Sequence, residues 1–320
     1  MASSSALTPL APATSAAATM RALIELTKPG ITKLVLVTTS VGFALAALPK
    51  SWSWGALAIA AIGCLIGTGL SASSANALNQ WWERRRDALM PRTCARPLPT
   101  DRLTPRTAVS FGVLCGALGV ATLALFVTYA SAAVALATIL IYVFLYTPIK
   151  PMTTTSTIVG AIPGALPPVI GWAAVSTDPG GWASLTEPAA WSLFAIMFVW
   201  QIPHFLAIAW MHKEGYALGG FRVLPVVDPD GQRTARATIY WLIALVPISL
   251  SPILLMPGRL GWGYALVAVA LGIFFIKPAI RFSIRRDRPS ARRVFFASII
   301  YLPLLLGAMV VDAIVTTFLL

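Results

Sequence analysis

The sequence predicts an all-α polytopic membrane protein with about nine transmembrane helices and a cytoplasmic N-terminus, and three observations carry that expectation. The chain is 58% hydrophobic and 11% charged, too little polarity to cover a soluble core of 320 residues. Charge-free apolar runs of about 18 or more residues recur along its length, enough for a helix to cross roughly 30 Å of hydrocarbon. The basic residues gather in alternate connections between those runs.

Residues 1–20 are mostly Ala, Ser, Thr and Pro, without a charged side chain. They lack the basic start and apolar core of a signal peptide, and Arg21 is too isolated for a mitochondrial presequence, so they read as a disordered, cytoplasm-facing tail. Residues 21–320 read as a single membrane domain, with no internal repeat and no linker. The predicted spans are roughly 31–49, 54–73, 108–127, 130–147, 156–176, 189–210, 237–256, 261–277 and 293–318. The fifth is the least regular, broken by Gly160, Pro163, Gly164, Pro167 and Pro168. Such breaks survive in a bilayer where neighbouring helices or a cavity satisfy the freed backbone groups, so a kink and a cavity wall both remain open.

Charge sets the orientation. One set of connections holds 22 of the 24 basic residues, all but Lys50 and Arg259. The positive-inside rule places that set, with the N-terminus, in the cytoplasm or matrix. The net charge of +13 is mostly this signal, and no nucleic-acid partner follows from it. Cys64, Cys94 and Cys115 form no close pair or metal-type spacing, so neither a disulfide nor a thiolate metal site is indicated.

The connection after span two is the most informative, running from Asn79 through Trp81, Trp82, Glu83, three arginines and Asp87 to Pro99. Asn79, Glu83 and Asp87 are four apart, a spacing that stacks them on one face of a helix. An amide oxygen with two carboxylates suits Mg²⁺, which keeps several waters and completes its shell with substrate phosphates. Arg92 and Arg96 follow, then Arg102 and Arg106, and guanidinium forks match phosphate oxygens. The plain alternative makes the arginines topology markers, pairs Glu83 and Asp87 with Arg84 to Arg86, and leaves the tryptophans as interface anchors.

This stretch resembles the first aspartate-rich motif of the UbiA-type intramembrane prenyltransferases. Its Glu in the middle and its Arg-Thr, two residues, Arg-Pro-Leu ending resemble the haem O synthase (protohaem farnesyltransferase) branch. Tyr146 to Lys150, Val159 to Trp172, Trp200 to Trp210 and Gly219 to Gly231 are similar to further segments of that branch, and the likeness runs from about Thr27 to Thr238. The resemblance implies an active site at the cytoplasmic face. There Asn79, Glu83, Asp87 and Glu214 would hold Mg²⁺, while Arg92, Arg96 and Lys150 grip a diphosphate. Lys150 could equally be a lysine reaching for the membrane surface.

The substrates so implied are farnesyl diphosphate and protohaem, in a bacterial inner membrane rather than a mitochondrial one, with haem A synthase as a further partner. Tyr146, Tyr216, His204 and His212 are the candidate substrate contacts. The two histidines are the only ones in the chain, and either could touch the porphyrin, bind its iron or bond a propionate. A histidine satisfied by a neighbouring helix is the alternative. One departure stands out: Gly215 follows Glu214 where resembling proteins usually carry a second acid. Asp228 and Asp230 could compensate, or could simply form the turn before Gly231.

Three competing functions share parts of this pattern. A prenyltransferase with an aromatic-acid or chlorin acceptor would use the same metal-diphosphate half. A transporter would suit the broken helices, but the spans lack buried acids and the polar groups gather at one face. A haem carrier without catalysis is the third.

Overall fold

The computed structural model describes residues 15–176, 178 and 180–318, and among them every regular element is helical. Nine helices there are long and apolar enough to cross a membrane, at positions close to those expected. The predicted tail lies mostly outside the described residues. Its last part does not: Ser15 accepts a hydrogen bond from the Ala18 backbone N–H and caps a first helix, α1 (Ala16–Leu26).

The first span is α2 (Pro29–Ala47), with Pro at its first position, where a missing N–H costs nothing. The second departs from expectation. Helix α3 (Trp54–Asp87) runs unbroken for 34 residues, about 51 Å, so the supposed loop from Asn79 to Asp87 is its last two and a half turns or so. One face of those turns buries the polar side chains Asn79, Gln80, Glu83 and Asp87, so the stretch reads as a connection. The true connection starts at Ala88, and α4 (Pro105–Phe126) returns alongside α3. The two helices meet through small residues: a Cβ added at Gly119 would lie 2.7 Å from the Gly67 carbonyl oxygen.

Helix α5 (Tyr129–Leu140) passes into a π-helical stretch, Ile141–Tyr146, and a final turn, α6 (Thr147–Ile149). The widened turn displaces carbonyls from the helical ladder, and the Thr147 hydroxyl donates to the Tyr142 carbonyl at 2.7 Å. The fifth span is two pieces, α7 (Ser156–Ala165) and α8 (Pro167–Ala173), joined at Leu166. Gly160, Pro163, Gly164 and Pro167 line an apolar cavity of about 120 Å³, so the breaks serve both as a kink and as a cavity wall.

Helix α9 (Pro188–Met211) is largely buried, and short α10 (Lys213–Leu218) follows it. The bundle is completed by α11 (Gln232–Leu255), α12 (Trp262–Arg285) and α13 (Arg288–Phe318). One expectation needs correcting here: the ninth span does hold a partly buried acid. The Asp312 carboxylate accepts from the Gly261 and Tyr264 backbone N–H groups, capping α12 from α13.

Large apolar side chains such as Ile62, Leu118, Leu125 and Ile284 project outward, as lipid contact requires. The interior instead holds small residues, buried aromatics such as Trp172 and Tyr264, and the polar end of α3.

Candidate active site

The last turns of α3 point Asn79, Glu83 and Asp87 into a cavity of about 230 Å³ at the end of the bundle that carries the basic connections. The three are 2%, 3% and 0% exposed, which for two carboxylates demands compensation. It arrives from three different segments. Lys150, just past α6, donates to Glu83 Oε1 at 3.1 Å. Arg96, from the connection after α3, donates to Asp87 Oδ2 at 2.7 Å. Lys28, at the turn before α2, donates to Asn79 Oδ1 at 3.0 Å. The alternative pairing fails: Arg84 bonds the Trp81 carbonyl, and Arg86 the carbonyls of Gly219 and Gly220.

Local structure holds these cations in place. Lys28 adopts φ 48°, a left-handed conformation costly for a residue with a Cβ. Gln80 and Asn76 of α3 fix that turn by donating to the carbonyls of Leu26 and Thr27 at 2.8 and 3.0 Å. Burial, then the Arg96 guanidinium, lowers the Lys28 ammonium to about 7. Lys150 behaves oppositely: burial pulls it down, but the Glu83 carboxylate and then the nearby tyrosines outweigh that and hold it above the usual lysine range. Its ammonium also lies 4.3 Å from the centre of the Phe221 ring.

Tyr142 and Tyr146 form the wall between this cavity and the membrane interior. A Cβ at position 160 would lie 2.6 Å from the Tyr146 ring, so glycine there lets the ring sit where it does. The apolar cavity described above adjoins the polar one, sharing Tyr142 and Phe205 with it. A polar, charge-lined chamber thus continues into an apolar one within the membrane.

Asn79, Glu83 and Asp87 fit a magnesium ion. They present hard oxygens along one helical face, and buried Asp87 Oδ1 has no hydrogen-bond partner among the described residues. The set stops at two carboxylates, since no three or more His, Cys, Asp or Glu side chains converge among those residues. Glu214 lines a separate outer cleft with His212, Gly215 and Arg288. Arg92 and Tyr216 stand between the two spaces and line both, joined by a 3.2 Å hydrogen bond. Asp228 accepts from the Thr234 backbone N–H and hydroxyl, both at 2.7 Å, and so caps the start of α11. Asp230 accepts from the Gln232 N–H, so both acids are turn formers.

A sequence model of the UbiA prenyltransferase family matches residues 35–300. The chain belongs to that family. Among curated relatives, the protoheme IX farnesyltransferase of Solibacter usitatus is 47% identical, the match covering 92% of this chain and 99% of that one. Two solved structures share the UbiA fold at low identity. One, from work on digeranylgeranylglyceryl phosphate synthase in membranes, has a TM-score of 0.74 at 15% identity and covers 92% of this chain and 99% of its own. The other is a UbiA homologue from Archaeoglobus fulgidus bound to DMAPP and Mg²⁺, with a TM-score of 0.63 at 16% identity and coverage of 90% and 98%.

The two histidines of this UbiA-family chain part company. His204 faces away from both cavities: its Nδ1 lies 2.7 Å from the Ser298 hydroxyl, and its ring stacks between Trp200 and Phe295 at 5.0 and 5.1 Å. His212 lines the outer cleft, where burial and then the Arg92 and Arg288 guanidiniums lower its imidazole below the usual range. Arg102, outside the cavity, pairs with Glu25 at 2.8 Å.

Sequence reasoning missed Lys28, Tyr142, Phe205 and Phe221. Lys28 looked like one more topology marker; its signal was the Lys-Pro-Gly turn, a sharp break directly before a span. Tyr142 and Phe205 carry no local signal, because apolar runs do not say which face lines a cavity, and Phe221 enters through its ring contact with the Lys150 ammonium.

Proposed function

We propose that this protein transfers a farnesyl group from farnesyl diphosphate to a vinyl group of protohaem, yielding haem O and diphosphate, as a multi-pass protein of a bacterial inner membrane with its basic face in the cytoplasm. The acceptor and donor follow the names of its curated relatives. The observation that carries the chemistry is the joined pair of chambers, one lined with acids and cations, the other apolar.

Asn79, Glu83 and Asp87 would hold the magnesium ion, as suggested by the Archaeoglobus homologue that binds DMAPP and Mg²⁺. When bound, the ion neutralises charge that develops on the leaving diphosphate. The chain's own cations add to that neutralisation. Lys28, Lys150 and Arg96 exchange their bonds to α3 for bonds to phosphate oxygens, and Arg92 closes over them. Lys150, with its side chain 12% exposed, is already largely withdrawn from water, so little reorganisation remains around it when the bond breaks. The isoprenoid tail lies in the apolar chamber, and Tyr142 and Tyr146 screen its reactive carbon from bulk water.

The farnesyl C1–O bond breaks and its electron pair leaves with the diphosphate. The outer vinyl carbon bonds to C1, and the cation left beside the porphyrin ring takes the oxygen of one water, whose proton is released. The deciding assay is turnover of purified protein with protohaem, farnesyl diphosphate and Mg²⁺, read by mass spectrometry. A haem heavier by one farnesyl group plus water is expected, and Asp87→Ala should abolish it. Diphosphate release only with some other aromatic acceptor would discard protohaem. Full magnesium-dependent turnover by Asp87→Ala would discard the metal site.

A further inference from the structure

We infer that the outer cleft beside the catalytic cavity binds the carboxylate edge of the acceptor, with Arg288 and His212 as its recognition groups. This deepens the farnesyl-transfer reading and rests on it.

The cleft, about 240 Å³, lies where the end of α9, α10 and the first residue of α13 meet. It shares Met90, Arg92 and Tyr216 with the inner cavity, so one molecule can occupy both. Position along α9 gives the arrangement. Phe205, Ile208 and Ala209 line the inner cavity, and His212 the outer cleft. From Ile208 to His212 the helix rises about 6 Å. A flat apolar ring held over this strip, against Met90 and Tyr216, reaches the reaction chamber with one edge and the cleft with the other. Protohaem has that form, with both propionates on one edge and its vinyl groups away from them.

The charges suit carboxylates. Among the described residues Arg288 is in no ion pair or side-chain hydrogen bond, and Arg92 bonds only the Tyr216 hydroxyl. Glu214 also lines the cleft, yet among the described residues it forms an ion pair with neither guanidinium. Guanidinium forks match carboxylates in pairs, and two forks flank one imidazole here. The inner cavity differs: its cations face two carboxylates and an amide, an arrangement for a metal-bound diphosphate. A free diphosphate leaving the site is the other anion that this cleft could accept.

The test compares protohaem with its dimethyl ester, in which both propionates are neutral, using the full-length protein in lipid nanodiscs. The wild-type protein should show a KM for the ester about tenfold above that for the free acid, about 1.4 kcal/mol. Arg288→Gln should raise the KM for protohaem to near the ester's value, without changing the KM for farnesyl diphosphate. Arg288→Lys should recover part of the loss. Arg288 is exposed at a helix start, so folding is not at stake, and Arg293→Gln, outside the cleft, controls for general surface charge. Acid and ester used equally well by the wild type would overturn the inference. So would an Arg288→Gln variant that changes product inhibition by diphosphate but not the KM for protohaem, which would make the cleft an exit path. A wild-type protein that turns over no protohaem would end the farnesyl-transfer reading and this inference with it.

Discussion

The Lys150 ammonium sits 3.1 Å from Glu83 Oε1, a bond between the end of the fourth span and the end of the second. Glu83 is buried and Lys150 nearly so, their side chains 4% and 12% exposed. Removing one partner of such a pair strands the other's charge in a low dielectric, at a cost of about 3–5 kcal/mol, whereas removing both can be nearly neutral. Glu83→Gln and Lys150→Met should therefore each lower the thermal midpoint in detergent, and the double variant should regain most of the loss. Turnover should stay absent in all three. A double variant no more stable than either single one would mean the pair does not hold these spans together.

If Asp87 holds the metal as proposed, Arg96 competes with it in the substrate-free protein, because Arg96 occupies Asp87 Oδ2 at 2.7 Å while Oδ1 has no hydrogen-bond partner among the described residues. Arg96→Met should strengthen Mn²⁺ binding without diphosphate by about tenfold, since a neighbouring positive charge is gone. The same change should raise the KM for farnesyl diphosphate, which loses a fork for its phosphate oxygens. Calorimetry with Mn²⁺ and steady-state kinetics check the two halves. Weakened Mn²⁺ binding would show that Arg96 organises Asp87 for the metal instead of blocking it.

The spans were legible in the sequence because hydropathy over a helical length is a local property, and so was the four-residue rhythm of Asn79, Glu83 and Asp87. The length of α3 was not. Its last turns bury polar side chains against the cations of other segments, and burial of that kind leaves no apolar pattern to read. Lys28 and Arg288 were hidden for a related reason. A membrane protein carries many basic residues for topology, and only the packing of α1, α3, α9 and α13 shows that these two also reach a cavity. Glu214 shows the converse: proximity to a motif in sequence did not bring it to the acids of α3.

Gly160 offers a way to disturb the reaction chamber without touching a charge. A Cβ there would stand 2.6 and 2.7 Å from two carbons of the Tyr146 ring, closer than side chains pack. The ring must move into the polar cavity or tilt toward Tyr142, whose ring centre is 5.3 Å away. Overpacking of this kind costs about 1–3 kcal/mol, so Gly160→Ala should still fold. We expect kcat to fall by about tenfold or more, about 1.4 kcal/mol or above in the barrier. Unchanged kcat would show that the position of Tyr146 is irrelevant to the chemistry.

His204 and His212 should separate cleanly under mutation. His204 bonds Ser298 at 2.7 Å and fills the space between Trp200 and Phe295, joining α9 to α13 away from both cavities. Truncating it leaves a void between two aromatic rings and a buried hydroxyl without its ring partner. His204→Ala should thus cost about 2–4 kcal/mol of stability, by analogy with other buried large-to-small changes. Its KM values for both substrates should stay near wild type once folded protein is counted. His212→Ala removes a half-buried ring at the cleft and should leave the thermal midpoint almost unchanged while raising the KM for protohaem. Midpoints and KM values measured on the two variants side by side decide the matter. A loss of the haem Soret shift in His204→Ala, at full stability, would return that histidine to the substrate site.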